Sequence, residues 1–151
     1  MMQKEQLASC WLAYVEVKGP YGDNYQPALE TLFLWADKHG LSGGQCIFVY
    51  MDDVETTPPQ DCRTRVGLSV PEDTQAEGSI ETMFLPGGDY ATLRKMITDS
   101  SQYPLYWQQL QQEISETGDY QFDFERPCFE LYHSIDEEND ICDTSICIAV
   151  K

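Results

Sequence analysis

Apolar residues recur at every second position in four short segments, and these segments form two matching pairs. Residues 46–50 reappear as residues 128–132, and residues 62–70 reappear as residues 142–150. A period of two is typical of half-buried strands. The two offsets, 82 and 80 residues, differ only by the length of the loop between the paired strands. The pattern therefore predicts a β-hairpin that occurs twice along the chain.

A helical period precedes each predicted hairpin. The first helix is predicted from about Tyr25 to His39, and the second from about Tyr103 to Thr117. Each has an apolar stripe at the spacing of one helix face, in which Trp35 and Leu110 are expected core residues. Residues of suitable type flank both helices, because Ser and Asn favour N-caps and Gly favours helix ends. The predicted caps and stops are Asn24 and Gly40 for the first helix, and Ser100 or Ser101 and Gly118 for the second.

Further strands are predicted at residues 12–18, 79–85 and 90–97. Each half then has the order β-α-β-β, at about residues 7–70 and 79–150, with residues 71–78 as a linker. Because about 75 residues bury only a marginal core alone, we expect one α+β domain spanning residues 1–151. Its halves would be related by a pseudo-two-fold axis, with an antiparallel sheet, two main helices and a central ligand groove.

Charge narrows the partners of this domain. The 151 residues include 9 Lys and Arg against 26 Asp and Glu, which gives a formal net charge of -17. Proteins that bind nucleic acid or anionic membranes neutralise phosphates with clustered basic residues, so both partners are disfavoured. The partners that this charge favours are a cationic or amphipathic small molecule, or a basic patch on another protein. The alternative is that most of the negative charge serves solubility alone.

Other composition signals predict a cytoplasmic protein without a cofactor. The N-terminus is too polar for a secretory signal, and no apolar run reaches the length of a membrane span. Six cysteines in a reducing compartment are expected to be free thiols. They form no Cys-x-x-Cys motif, and His39 and His133 lack the spacing of a metal-binding pair, so no metal site is predicted.

Glu130 is the candidate functional residue with the clearest signal. It interrupts an apolar strand at the position where the first repeat has Phe48. On a strand it would share one face with Cys128 and Tyr132, which makes Tyr132 a candidate neighbour in a ligand site. A buried carboxylate must be partnered, protonated or able to receive a cationic ligand. The alternative is an exposed or salt-bridged glutamate, and the residues alone leave both open.

Aromatic residues cluster at the starts of the two predicted helices. Aromatic rings around a carboxylate can hold a lipophilic cation by cation–π attraction together with ion pairing. The alternative is that these rings belong to the core. The candidate ligand-binding aromatics are Tyr25, Tyr103, Tyr106 and Trp107.

Several motifs together resemble the DNA gyrase inhibitor family, which is grouped with the GyrI-like effector-binding domains of AraC- and MerR-type regulators. The segment 126–132 is the most specific, and residues 19–21, 32–35, 49–53 and 87–90 add to it. The resemblance implies the duplicated fold with a central groove. It also implies that Glu130 pairs with lipophilic cations, that Tyr106 and Trp107 stack on them, and that Tyr25 and Tyr103 lie close by.

The resemblance leaves three roles open. Binding of small amphipathic molecules by a stand-alone module without a DNA-binding helix-turn-helix is the favoured one. The second is inhibition of DNA gyrase by direct protein contact. The third is hydrolysis of strained cyclopropane-containing toxins, in which Glu130 would be the base and Glu16 a possible second carboxylate. Enzyme activity is therefore undecided at this point, and no residue is assigned as catalytic under the favoured role.

Overall fold

The architecture consists of two helices packed on antiparallel strands, in a computed structural model that describes residues 2–22 and 24–151. The helices are α1 (Tyr25–Lys38) and α2 (Gln102–Thr117), and Pro59–Asp61 forms a single 3-10 turn. The strands are β1 (Gln3–Leu7), β2 (Cys10–Lys18), β3 (Cys46–Tyr50), β4 (Arg63–Val70), β5 (Glu81–Leu85), β6 (Gly88–Ile97), β7 (Cys128–Asp136) and β8 (Ile141–Ala149). The predicted α+β class, with two main helices and antiparallel strands, is confirmed.

The first compact unit is Ser9–Leu85. Its strands lie in the order β3-β4-β2-β5, and every neighbouring pair is antiparallel. Helix α1 packs on β2 and β4 through its apolar stripe, in which Leu32, Trp35 and Ala36 are buried. The predicted core position of Trp35 is confirmed.

The second unit is Pro86–Lys151 together with the N-terminal residues up to Ala8. Its strands lie in the order β1-β6-β8-β7, again antiparallel. Helix α2 packs on β6 and β8, and Leu110 is completely buried, as predicted. The core of this unit consists of Ala91, Leu93, Leu110, Ile114, Ile146, Ile148 and Val150.

The two units differ from the predicted halves by one strand each. β5 was expected to open the second half, but it pairs with β2 of the first unit, from Cys10↔Leu85 to Tyr14↔Glu81. Strand β1, which was not predicted, lies beside β6 in the second unit. Four of its five residues are exposed, and its polar sequence has no alternation of apolar and polar positions that would signal a strand. The unit to which β1 and β5 belong is therefore determined by pairing between distant segments, which the local sequence pattern does not reveal.

Asn24 and Ser101 occupy the predicted N-cap positions, but neither caps its helix with its side chain, and the predicted helix ends are nearly right. Asn24 has a left-handed backbone (φ 66°) and makes no side-chain cap hydrogen bond, and Ser101 makes none either. At α2 the side chain of Gln102 accepts hydrogen bonds from the amides of Thr98 (2.8 Å) and Asp99 (3.2 Å) instead. Gly118 ends α2 in the left-handed conformation, as its residue type indicated.

Arg126 connects three backbone segments of the second unit. Its guanidinium donates hydrogen bonds to the carbonyl oxygens of Gly87 (3.2 Å), Asp89 (3.0 Å) and Val150 (2.7 Å). Gly88 has φ 134°, and a Cβ there would lie 2.4 Å from an Arg126 nitrogen. The glycine therefore serves two needs, a backbone conformation that other residues rarely adopt and a close approach of the arginine.

The cysteines are free thiols, as predicted: Cys10, Cys46, Cys62, Cys128, Cys142 and Cys147. Burial raises the pKa of the Cys147 thiol far above its ordinary value, so it is protonated and unreactive at neutral pH. Neither α1 nor α2 combines the length and apolar character that crossing a membrane requires, a finding that covers the described residues.

Candidate ligand-binding site

Glu130 is buried in the second unit, with 2% of its surface exposed. It lies on β7 opposite Ile146 of β8, between the apolar residues Phe129 and Leu131. Phe129 points to the other face of the strand, where its ring lies 5.0 Å from that of Tyr90. The alternation of β7 therefore carries the carboxylate into the protein rather than into water.

Two aromatic side chains hold the carboxylate of Glu130. The indole Nε1 of Trp107 donates a hydrogen bond to Oε2 (2.6 Å), and the hydroxyl of Tyr132 donates one to Oε1 (2.7 Å). These two contacts orient the carboxylate oxygens.

Tyr103 extends this aromatic group. Its ring lies 6.4 Å from that of Tyr132 at an angle of 57°. It is four residues before Trp107 on α2, so the two side chains leave the helix on the same side. Burial raises the pKa of Tyr103 to about 12, and the nearby Glu130 carboxylate acts in the same direction. The phenol is therefore neutral at pH 7. We call Glu130, Trp107, Tyr132 and Tyr103 the Glu130 site.

Tyr106 and Tyr25 have other described neighbours. The Tyr106 ring packs against the core of the second unit, with Nζ of Lys95 5.4 Å from its centroid. Tyr25 belongs to the first unit, where its ring meets Phe48 edge to face at 5.3 Å and its hydroxyl lies 2.8 Å from Thr64 Oγ1. Their predicted roles in ligand binding stay predictions.

The internal repeat shows how the second unit differs chemically from the first. An offset of 78 residues relates the buried positions Leu32 and Ala36 of α1 to Leu110 and Ile114 of α2. The same offset relates Trp107 to Leu29. The first unit thus has Leu29 and Phe48 at the positions where the second unit has Trp107 and Glu130. The hydrogen bond between the Trp107 indole and the Glu130 carboxylate therefore has no counterpart at these positions of the first unit.

Sequence reasoning named Trp107 and Tyr132 as neighbours of Glu130 but did not find their hydrogen bonds. The available signal was this paired replacement of Leu29 and Phe48, which only becomes visible when both helices are aligned on their buried residues. The direction in which an indole N–H points depends on helix rotation, and no local pattern records that rotation.

Other acidic and metal-binding candidates do not form a second centre of this kind. Glu16, considered as a second carboxylate, lies on β2 of the first unit and is paired with Arg65 at 3.2 Å. Across residues 2–22 and 24–151, no cluster of three or more His, Cys, Asp or Glu side chains is arranged to hold a metal ion.

Two helices on antiparallel strands define an α+β protein, in which Trp107 and Tyr132 bind a buried glutamate. The chain belongs to the family described as GyrI-like small molecule binding domain, whose model matches residues 1–151. The family expected from the sequence is thereby confirmed.

Individual relatives agree with this assignment. A protein from Klebsiella pneumoniae (strain 342) named DNA gyrase inhibitor is 27% identical over 124 residues, which cover 80% of this chain and 78% of that protein. Among solved structures, an EcmrR–DNA complex matches with a TM-score of 0.76 at 14% identity, covering 100% of this chain and 57% of the other. The structure of SAV2435 bound to tetraphenylphosphonium matches with a TM-score of 0.62 at 13% identity, covering 100% and 94%. These two structures show a shared fold.

Proposed function

We propose that this protein binds a lipophilic organic cation at the Glu130 site. The observation that carries the proposal is the carboxylate of Glu130, which is 2% exposed and accepts hydrogen bonds from the neutral donors Trp107 and Tyr132. Those donors hold the two oxygens in place, so a ligand need not spend binding energy on ordering them.

The aromatic side chains supply the second part of the recognition. Trp107, Tyr132 and Tyr103 present rings whose negative faces attract a cation, each contact being worth about 0.5–1 kcal/mol or more once water is excluded. The same rings offer apolar surface to the ligand's hydrocarbon groups. A delocalised cation with aryl or alkyl groups satisfies both demands, whereas a small hydrated cation has no apolar surface to offer the rings.

The comparisons support this class of ligand. The family is described as binding small molecules. One protein with the same fold was solved with tetraphenylphosphonium, a cation of the proposed kind. That compound is therefore a rational first probe.

We expect tetraphenylphosphonium to bind at least tenfold more tightly than triphenylphosphine oxide, which has phenyl groups but no net charge. The physical reason is that a buried carboxylate distinguishes a cation from a neutral molecule of similar surface. Isothermal titration calorimetry of both compounds with the whole protein measures the ratio. Equal affinities would show that charge plays no part. If neither calorimetry at two temperatures nor tryptophan fluorescence detects binding of the cation, the proposal is contradicted directly.

We propose contact with DNA gyrase as a second candidate function. It is favoured by a curated relative named DNA gyrase inhibitor at 27% identity and by the net charge of -17, since an acidic surface can attract an enzyme whose own substrate is DNA. A supercoiling assay with purified gyrase is the test, and we expect inhibition that weakens as salt rises. No inhibition at high micromolar protein would remove this candidate. Hydrolysis of a strained ring stays a prediction from the family resemblance.

A further inference from the structure

The loop between α2 and β7 carries the most exposed large apolar side chain among the described residues. Phe124 is 89% exposed, more than any other such residue. Its ring stacks on that of Phe122, with centroids 5.8 Å apart and planes 20° apart. We call residues 119–125 the aromatic loop.

The aromatic loop is held in place at its base. Tyr120 and Phe122 pack against the core of the second unit. Phe122 also forms a β-bridge with Val150. The amide of Asp123 donates to the carbonyl of Ala149 at 3.0 Å. The exposure of Phe124 is therefore a property of an ordered segment, and a rigid aromatic side chain of this kind loses little entropy when a partner covers it.

The charges of the aromatic loop favour a basic partner. Asp119 and Glu125 are exposed, and Asp123 is paired with Arg126 at 2.9 Å. That hydrogen bond lowers the pKa of Asp123, so the carboxyl is ionised at neutral pH. Two copies of a chain with a net charge of -17 would repel each other here, and an anionic membrane or nucleic acid would be repelled as well. A protein surface with an apolar pocket bordered by Lys and Arg is the complementary partner.

We propose that the aromatic loop is the surface by which this protein contacts DNA gyrase, with Phe124 entering an apolar pocket in a basic face of the enzyme. This inference rests on the gyrase contact proposed above and assigns it to a particular segment. An exposed aromatic ring surrounded by charged groups is the type of residue that dominates protein interfaces. The Glu130 site and the aromatic loop would then be two separate functional surfaces.

Replacement of Phe124 by serine tests this assignment, because the ring is so exposed that its loss should not unfold the chain. Phe84→Ser is the matched control: Phe84 is also exposed, at 50%, and its ring also contacts a neighbouring aromatic, Trp11, at 5.5 Å. Surface plasmon resonance with purified, immobilised gyrase measures the dissociation constant of each protein. We expect at least a tenfold weaker constant for Phe124→Ser and an unchanged one for Phe84→Ser.

Charge supplies an independent variant. Asp119→Asn with Glu125→Gln should weaken gyrase binding several-fold and reduce its dependence on salt, since fewer charges are then screened. A salt dependence identical to that of the wild type would contradict the proposed basic partner.

The outcomes distinguish the proposed contact with gyrase from its assignment to the aromatic loop. If the wild-type protein binds gyrase and Phe124→Ser binds equally well, the loop assignment is overturned while gyrase contact stands. If Phe84→Ser loses as much affinity as Phe124→Ser, the loop is not the specific contact and the assignment also fails. No binding by the wild-type protein overturns both. Sedimentation equilibrium in which Phe124→Ser dissociates a wild-type dimer would assign the loop to a second copy of the chain instead.

Discussion

Glu130→Gln is expected to weaken tetraphenylphosphonium binding by about 2 kcal/mol, or roughly thirtyfold, in a calorimetric titration. Glutamine has nearly the same shape, so its amide oxygen can still accept from Trp107 while its amide nitrogen donates to the Tyr132 hydroxyl. The substitution therefore removes the negative charge and keeps the packing. Affinity for triphenylphosphine oxide should stay the same, since that compound has no net charge.

Glu116→Gln is the matched control for this prediction. It changes the net charge of the protein by the same amount. Glu116 lies on α2, is exposed, and has Gln112 as its described partner at 3.0 Å. A long-range effect of total charge would appear in both variants, whereas a direct ion pair would appear in Glu130→Gln alone. Equal tetraphenylphosphonium affinity in wild type and Glu130→Gln would refute the ion pair, and thermal unfolding of both proteins establishes that they are folded.

Arg126→Ala is expected to lower the free energy of unfolding by about 3 kcal/mol. The variant takes the Arg126 donor from three backbone carbonyls: those of Gly87 and Val150 lose their described partner, while that of Asp89 keeps the Val150 amide at 3.1 Å. It also removes a guanidinium that lies 4.9 Å from the Tyr90 ring. The arginine side chain is 17% exposed, so water reaches the vacated positions poorly. Urea unfolding followed by circular dichroism measures the loss.

Arg94→Ala provides the comparison for Arg126→Ala. Arg94 is paired with Asp143 at 2.7 Å, but its side chain is 60% exposed. Solvent screens such pairs strongly, so we expect a much smaller loss of stability. Similar losses of unfolding free energy in the two variants would mean that the backbone contacts of Arg126 contribute little to stability.

The elements that the sequence predicted well are those fixed by local periodicity. Helix α1 and strand β3 match their predicted ranges to within one residue, because α1 has one apolar stripe and β3 is a short continuous apolar run. The sequence left the burial of Glu130 open, because Phe129 and Leu131 lie on the opposite face of the strand, and only the structure shows that Glu130 is buried. The ranges of α1 and β3 needed no knowledge of distant contacts, whereas the burial of Glu130 did.

The features that the sequence did not reveal depend on contacts between distant segments. The pairing of β1 with β6 joins residues almost ninety positions apart, and the polar residues of β1 carry no signal for it. The contacts of Arg126 with Gly87 and Val150 are likewise tertiary. The same reason explains Trp107: its residue type suggested an aromatic wall, whereas its hydrogen bond to Glu130 required the relative placement of α2 and β7.

The position of β1 in the second unit, beside β6, also has a consequence for synthesis at the ribosome. Residues of β1 are synthesised before their partner strand β6, which begins only at Gly88, so at ~5–20 residues per second β1 spends several seconds without a partner. The unit Ser9–Leu85 is contiguous and can be completed during that interval. The nascent chain can therefore complete the first unit before the second, whose segments come from both sides of the first unit in the sequence.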